Sequence, residues 1–216
     1  MTDQTRSSTP PQTDEELAEV VLDLAQQSFI DYGFRGTKMD QLAKTAHVSV
    51  GQLYHLFANK EALLLAVHER AQLLLFTQYL GPAYESPPAE GGAIAHFESI
   101  GRAYLRFYLE NKEMGPLLFS TTYDDRHDPA IERVLTSINA QIGGGLARLT
   151  QLVTGAIERG EIRDVDPQAV IRWFWGAMFG VLAHNLRHPT TALTDDELTE
   201  VVELGLQSIS ALLRPT

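Results

Sequence analysis

The sequence contains no cysteine, which excludes structural disulfides and thiolate metal sites. Long uncharged apolar runs are also missing. The longest, 71–84 and 173–186, hold 14 residues each and are too short to cross a bilayer, so they are predicted to be buried helices. The opening residues, MTDQTRSSTPPQT, have no apolar core and are not a signal peptide. These absences predict a cytoplasmic chain that does not enter a membrane.

Basic residues are scarce, because 17 Lys and Arg accompany 28 Asp and Glu, for a net charge of -11. That balance excludes a basic coat over the whole surface, but it permits a local phosphate-binding face. Between Gly33 and Lys60 the four basic residues outnumber the single acidic one, so the local charge is +3. These residues are Arg35, Lys38, Lys44, Lys60 and the acidic Asp40.

The apolar spacing predicts an all-α chain of about nine helices, because no stretch alternates polar and apolar residues long enough for a strand. Residues 1–12 are rich in Ser, Thr, Pro and Gln and are predicted to be a disordered tail. Residues 13–60 are predicted to form a three-helix unit. A fourth helix joins it to a second helical bundle within 61–216.

Capping residues and turn residues predict where the helices begin and end. Capping boxes open the helices at 13, 49 and 194, and Asp-Pro pairs open those at 128 and 166. Three further features are predicted: Thr37 caps the second helix, residues 81–92 form a linker, and a short helix lies around 117–121.

Residues 37–57 place two short helices around a tight turn. Ala43, Val48 and Leu53 are spaced to meet where those helices cross. A short helix presented end-on after a supporting helix fits the major groove of DNA. The pattern alone also fits any short helical hairpin.

Residues 17–65 resemble the N-terminal domain of the tetracycline-repressor (TetR) family of bacterial transcriptional regulators. The matching motifs are F-x-x-Y-G-F at 29–34, Thr37, D-x-L-A at 40–43, V-S at 48–49, G-x-L-Y-x-x-F at 51–57 and K-E-A-L at 60–63. The resemblance implies a helix-turn-helix unit that binds double-stranded operator DNA, and a second unit that binds a small-molecule effector and forms a homodimer. No cofactor is implied.

Three positions depart from the family pattern. His47 replaces the usual glycine of the turn, where a left-handed backbone is costly for other residues. Val50 stands where lysine is common, and Gln52 where threonine is common.

The DNA-contacting residues implied by the resemblance fall into two classes. Thr37 and Lys38 begin the second helix, where free N–H groups attract a phosphate. Val50, Gln52 and His55 are candidates for base edges. Alternatively, Gln52 completes a capping box with Ser49, Val50 is a plain exposed residue, and Tyr54 belongs to the core. The full set is Thr37, Lys38, Lys44, Ser49, Val50, Gln52, Tyr54, His55 and Lys60.

The second half is rich in aromatic residues, which favours an apolar or aromatic effector. The predicted ligand-binding residues are Tyr104, Phe107, Tyr108, Phe119, Tyr123, Asn139, Trp175 and Phe179. The alternative for each aromatic is a plain core position. An anionic ligand would have to use Arg102, Arg106 or Arg148.

The last two predicted helices carry more apolar surface than a monomer edge needs, and the resemblance implies that they form a four-helix dimer bundle. The predicted interface residues are Phe174, Met178, Val181, Val202, Leu206 and Ile209. The alternative is a monomer with a large core.

No nucleophile–base constellation and no metal-ligand spacing occur, so neither catalysis nor a metal site is predicted. The chain is predicted to be a transcriptional regulator, most simply a repressor released by its ligand. The alternatives are an activator, and a helical ligand-binding protein that no longer reads DNA.

Overall fold

The computed structural model describes residues 13–115, 129–187 and 192–215. Their regular structure is entirely helical, with no strand among them, so the predicted all-α fold is confirmed. The helices are α1 (Asp14–Gly36), α2 (Met39–Thr45), α3 (Val50–Leu56), α4 (Lys60–Leu74), α5 (Gly81–Glu85), α6 (Gly92–Glu110), α7 (Pro129–Glu158), α8 (Pro167–Arg187) and α9 (Asp195–Leu213). The predicted helix around 117–121 lies outside the described residues.

The described residues form two compact units. The first contains α1 to α3, α4 as far as His68, and the first residues of α7 up to 134. The second contains the described residues of 69–115 and from 135 onward. No helix in the described ranges is both long enough and apolar enough to span a membrane.

Local capping accounts for several helix starts as predicted. Thr13 and Glu16 form a reciprocal capping box at α1, and Thr194 and Glu197 form another at α9. The Asp166 carboxylate accepts a hydrogen bond from the Gln168 N–H at 2.9 Å, which caps α8. Each bond satisfies a backbone donor that the helix itself leaves open.

The turn between α2 and α3 is a helix C-terminal motif with His47 in the left-handed region, at φ 57. The Val48 N–H donates to the Ala43 carbonyl at 2.9 Å, and the His47 N–H donates to the Lys44 carbonyl at 3.2 Å. These two bonds define a Schellman motif, which glycine normally serves. Histidine therefore takes over the backbone role of the missing glycine.

The fourth helix was predicted to end at Gly81. Instead, α4 is followed by a π-helical stretch, Leu75–Leu80, that leads directly into α5. The Gly81 N–H donates to the Phe76 carbonyl, five residues earlier. A Cβ at position 81 would lie 2.6 Å from that carbonyl oxygen, so the stretch requires glycine there. The linker prediction for 81–92 is therefore wrong for 81–85 and for Gly92, which are helical, and holds for 86–91.

The core of the second unit is built from α6, α8 and α9 with the end of α7. Phe97 and Phe174 pack with ring centroids 4.5 Å apart. Gly101 permits the close approach of Leu206 and Phe174 to α6, since a Cβ there would lie 2.6 Å from Leu206 and 3.1 Å from Phe174.

The start of α6 is capped from a distance. Its N-cap, Gly91, has no side chain, and the Glu161 carboxylate accepts from the Ala93 N–H at 2.9 Å. Hydrogen bonds from the Arg159 side chain and from this N–H lower the pKa of Glu161.

Candidate DNA interface and effector cavity

The core of the helix-turn-helix lies where the spacing predicted. Ala43 and Leu53 are fully buried, at 1% and 0% exposed, and Val48 is half-buried. Leu53 points inward, whereas three other residues of α3 are exposed. Val50 and Tyr54 are 44% and 47% exposed, and His55 is also exposed. Tyr54 is therefore not a core residue.

Ser49 and Gln52 form the predicted alternative, a complete capping box. The Gln52 N–H donates to Ser49 Oγ at 3.1 Å, and the Ser49 N–H donates to Gln52 Oε1 at 3.0 Å. The Gln52 carbonyl oxygen is thus already an acceptor within the helix start, while its amide donors stay available. A bidentate contact to adenine requires both ends of the side chain.

Thr37 is not where the capping prediction placed it. Lys38 is the N-cap of α2 and makes no side-chain cap bond, whereas Thr37 is the C-cap of α1 and is 2% exposed. Its hydroxyl donates to the Gly33 carbonyl at 2.9 Å and accepts from Ser28 Oγ at 3.1 Å. The side chain is occupied in closing the end of α1, where Gly33 takes a positive φ of 67.

Lys60 also has an internal role that the sequence did not reveal. Its ammonium donates to the carbonyls of Phe34, at 2.8 Å, and Thr37, at 3.2 Å. It also lies 4.3 Å from the centroid of the Phe34 ring. Lys60 therefore ties the start of α4 to the end of α1, and only its remaining donor is available to a phosphate.

The remaining basic residues of this face are accessible. Arg35, Lys38 and Lys44 are exposed, and their charges are opposed in this segment only by Asp40. Gly51, in the first turn of α3, is also exposed, and a Cβ there would meet only Ser49 Oγ, at 3.9 Å. From the sequence, Gly51 was identified only as part of the family motif. Its missing side chain also leaves the backbone open to close approach by a ligand, which was not predicted.

Comparison with known proteins agrees with this geometry. The sequence pattern described as bacterial regulatory proteins, tetR family, matches residues 21–67. Residues 21–67 therefore form the DNA-binding domain of that family. Transcriptional regulation through a DNA-binding helix-turn-helix follows from that match, as the resemblance implied.

Relatives extend the similarity beyond the matched segment. RutR of Escherichia coli (strain K12), a helix-turn-helix transcriptional regulator, is 25% identical over 203 residues, which cover 91% of this chain and 90% of RutR. The fatty acid degradation regulator FadR from Bacillus halodurans superposes with a TM-score of 0.71 at 16% identity, covering 93% of this chain and 97% of FadR. AibR, solved with isovaleryl coenzyme A and operator DNA, gives 0.64 at 20% identity, covering 92% and 98%. At these identities, the two structures establish the shared fold.

The second unit contains a cavity of about 770 Å³, here called the α4–α7 cavity. Such a volume lies within the usual range for small-molecule sites. Its lining residues are Glu69 and Leu73 of α4, Phe76 and Thr77 of the π-helical stretch, Gly81, Pro82 and Glu85 of α5, and Gly144, Gly145 and Arg148 of α7.

The predicted ligand-binding aromatics do not line this cavity. Tyr104, Phe107 and Tyr108 are core residues, at 7%, 2% and 5% exposed, so the alternative stated for them is correct. Burial raises the pKa of Tyr104 above its ordinary value. Trp175 packs on Tyr104 with centroids 5.0 Å apart.

The other predicted ligand residues also lie elsewhere. Asn139 and Phe179 are exposed and are not part of the α4–α7 cavity lining, and Phe119 and Tyr123 lie outside the described residues. Helical periodicity identified an aromatic stripe correctly, but a core and a cavity wall share that periodicity.

A second, smaller cavity of about 610 Å³ lies along α6. Arg102 and Arg106 contribute to its lining. Arg102 is bound to Glu203 and Glu98, so its charge is already paired, and the hydrogen bonds to those carboxylates raise its pKa. Arg106 lies over the Tyr79 ring, 5.6 Å from its centroid.

Most of the predicted dimer residues are buried within one chain. Phe174, Met178, Val202, Leu206 and Ile209 are all buried, and Val181 is half-buried. Other apolar residues of α8 and α9 stay exposed. They are Trp173 (56% exposed) and Phe179 on α8, and Val201, Leu204 (65%) and Leu212 on α9. On α8 this stripe continues through small exposed residues, Gly176, Ala177 and Gly180.

No group of three or more His, Asp or Glu that could hold a metal ion occurs in the described parts of the chain.

Proposed function

We propose that the chain is a ligand-responsive repressor that binds a near-palindromic operator as a homodimer. The outward face of α3 carries this proposal. A buried Leu53 and a capped N-terminus hold the helix rigidly, while Val50, Tyr54 and His55 project from it. This is the arrangement by which a short helix reads base edges.

Phosphate contacts would come from the basic residues around that helix. Lys38 and Lys44 are exposed, and Tyr54 offers a hydroxyl beside them on α3. Phosphate contacts set position, whereas base contacts set sequence preference. Val50 suits a thymine methyl group, and the free amide donors of Gln52 suit a base acceptor.

The exposed stripe of Trp173, Leu204 and Leu212 supports the homodimer. Several large exposed apolar side chains on two neighbouring helices are unusual on a monomer surface. The small exposed residues that follow Trp173 on α8 allow two helices to approach closely. A two-fold symmetric dimer with one recognition helix in each subunit then favours an operator with two-fold symmetry.

The α4–α7 cavity supports the effector. It is formed partly by α4, the same helix that begins beside the helix-turn-helix at Lys60. A ligand that binds the DNA-free state more tightly lowers operator affinity, and the coupling is typically about 1–3 kcal/mol. The AibR structure, which holds both isovaleryl coenzyme A and operator DNA, is a precedent for this pairing in the same fold.

The test begins with selection of a bound duplex from random sequences by the full-length chain. Affinity for the selected duplex should fall steeply with salt, and Lys44→Ala should reduce that salt dependence by about one phosphate contact. Lys112→Ala is the control, since it removes the same charge from a residue paired with Asp195 in the second unit. Val50→Ala should instead change which duplexes are selected.

If no sequence is enriched, the chain is the alternative, a ligand-binding bundle that no longer reads DNA. If a duplex is enriched but its occupancy raises transcription from an adjacent promoter, the chain is an activator. Neither result is compatible with the proposed repressor.

A further inference from the structure

The α4–α7 cavity contains one arginine and two glutamates. Glu69 already has an interaction within the chain, and Glu85 is exposed at the end of α5. Among the described residues, no carboxylate is paired with Arg148. The cavity therefore offers one uncommitted cation, while the two carboxylates oppose any ligand that carries several negative charges.

Within the described part of the chain, Arg148 is positioned by an aromatic ring and not by a salt bridge. Its guanidinium carbon lies 5.8 Å from the centroid of the Tyr84 ring. The Tyr84 hydroxyl donates to the Gly145 carbonyl at 3.2 Å, which anchors the ring on α7. Burial raises the pKa of Tyr84 to about 12, so this donor keeps its proton at neutral pH. An arginine stacked on an anchored ring presents its N–H fork to a carboxylate at low entropic cost.

Apolar residues and missing side chains shape the rest of the cavity. Leu73, Phe76 and Pro82 form one wall, and Gly144 and Gly145 form the other. A Cβ on Gly144 would meet nothing within 4 Å, so its absence leaves room in the cavity. A Cβ on Gly145 would lie 3.2 Å from the Phe76 ring, so the absence of a side chain at Gly145 makes room for this ring.

From this combination we infer that the cavity binds an amphipathic monoanion, with a single carboxylate on Arg148 and an apolar body between Phe76 and Gly144. The inference rests on the proposed function in that it names the chemistry of its effector. It also narrows the apolar or aromatic ligand expected from the sequence, because the charged end has a specific partner.

The experiment uses the full-length chain and small probes of matched shape. Decanoate and 4-butylbenzoate are the carboxylates, 1-decanol is the neutral control, and decyltrimethylammonium is the cationic one, all below their micellar concentrations. Binding is measured by calorimetry. We expect at least one carboxylate to bind about tenfold more tightly than either control, and Arg148→Met to remove that preference. Arg172→Met, at an exposed arginine of α8, should leave it unchanged.

Filling the cavity is an independent test of its location. Gly144→Leu should abolish carboxylate binding, whereas Gly143→Leu should not, although a Cβ at either position meets nothing within 4 Å. Only Gly144 lines the cavity, and both changes replace a glycine by a better helix former, so both variants should fold.

Three results would overturn the inference: equal or tighter binding of the cationic probe, carboxylate affinity unchanged in Arg148→Met, or no carboxylate binding below about 1 mM. Operator binding is measured without any probe, so the two proposals fail separately. A selected duplex with no carboxylate binding overturns only this inference. Carboxylate binding without any selected duplex overturns only the repressor.

Discussion

The two units of this chain carry similar helical patterns, but the patterns predict side-chain roles far better in the first unit than in the second. In the first unit Leu53 is buried and Val50 exposed, as the α3 sequence suggests. In the second, Tyr104 and Phe107 were expected to face a ligand and are core residues instead. The difference shows that short capped helices constrain orientation locally, whereas long apolar helices depend on their neighbours.

The apolar surface of α8 and α9 makes the same point. These helices are apolar on more than one face, so periodicity alone does not say which face is inward. The faces occupied by Phe174 and Leu206 turned into the chain's own core, and those occupied by Trp173 and Leu204 remained open. Substitutions on the buried face and on the exposed face of the same helix therefore test this difference most directly.

The largest effect is expected from Leu204→Arg, which places a charge on the exposed stripe of α9. If this stripe is the dimer face, the chain should become monomeric and lose about 100-fold or more in operator affinity, because the two half-sites no longer bind as one unit. Sedimentation equilibrium and titration of a selected duplex measure the two quantities.

Gln207→Arg is the control, since Gln207 is exposed on α9 but outside the stripe. Val202→Arg, on the predicted interface that proved to be buried, should unfold the second unit instead of dissociating a dimer. A dimer that survives Leu204→Arg would show that this stripe is not the dimer face.

The next effect concerns the first unit. Leu53→Ala should lower the free energy of unfolding by roughly 3 kcal/mol, because it removes a fully buried side chain from a small core. Val50→Ala, three residues earlier, should change it by less than about 0.5 kcal/mol. Urea unfolding of both variants measures the difference, and similar losses at both positions would contradict the local orientation of α3.

His68, in α4 at the end of the first unit, provides a test by pH. Burial lowers its pKa from 6.5 to about 4, so the unfolded chain binds a proton more readily than the folded one. The folded state should therefore lose up to about 3 kcal/mol from this residue as the pH falls from 6.5 to 4.

His68→Gln removes this titration. Unfolding free energies of wild type and variant are compared at pH 7, 6, 5 and 4, and the wild type should lose stability relative to the variant as the pH falls, by up to about 3 kcal/mol. Parallel curves would mean that the pKa of His68 is the same in the folded and the unfolded state.

The smallest effect is expected from Ser49→Ala at the start of α3. Loss of the hydroxyl that accepts from the Gln52 N–H should cost about 1 kcal/mol. Thr45→Ala is the matched control, because the Thr45 hydroxyl only donates to the Gln41 carbonyl inside α2. Thermal unfolding distinguishes the two, and equal stabilities would show that the capping box contributes nothing measurable.

Most helix boundaries were predictable because they depend on residues within four positions of each other. The box at Thr13 and Glu16 and the left-handed turn at His47 are of this kind. Thr37 was misassigned because a threonine before a helix can cap it or can close the helix before. Only its contacts with Ser28 and Gly33 decide between these roles. The π-helical stretch was missed because Gly81-Pro82 has the same composition as a turn.

By itself, the sequence determined the all-α fold, the helix-turn-helix and the family, since these follow from apolar spacing, caps and a motif within about fifty residues. Only the tertiary structure decided which aromatics are core, where the cavity lies and that Arg148 is its uncommitted cation. The physical reason is the separation along the sequence over which each interaction acts. Capping and periodicity act between neighbours along the chain, whereas burial and pairing depend on contacts such as Tyr84 with Gly145, which lie 61 residues apart.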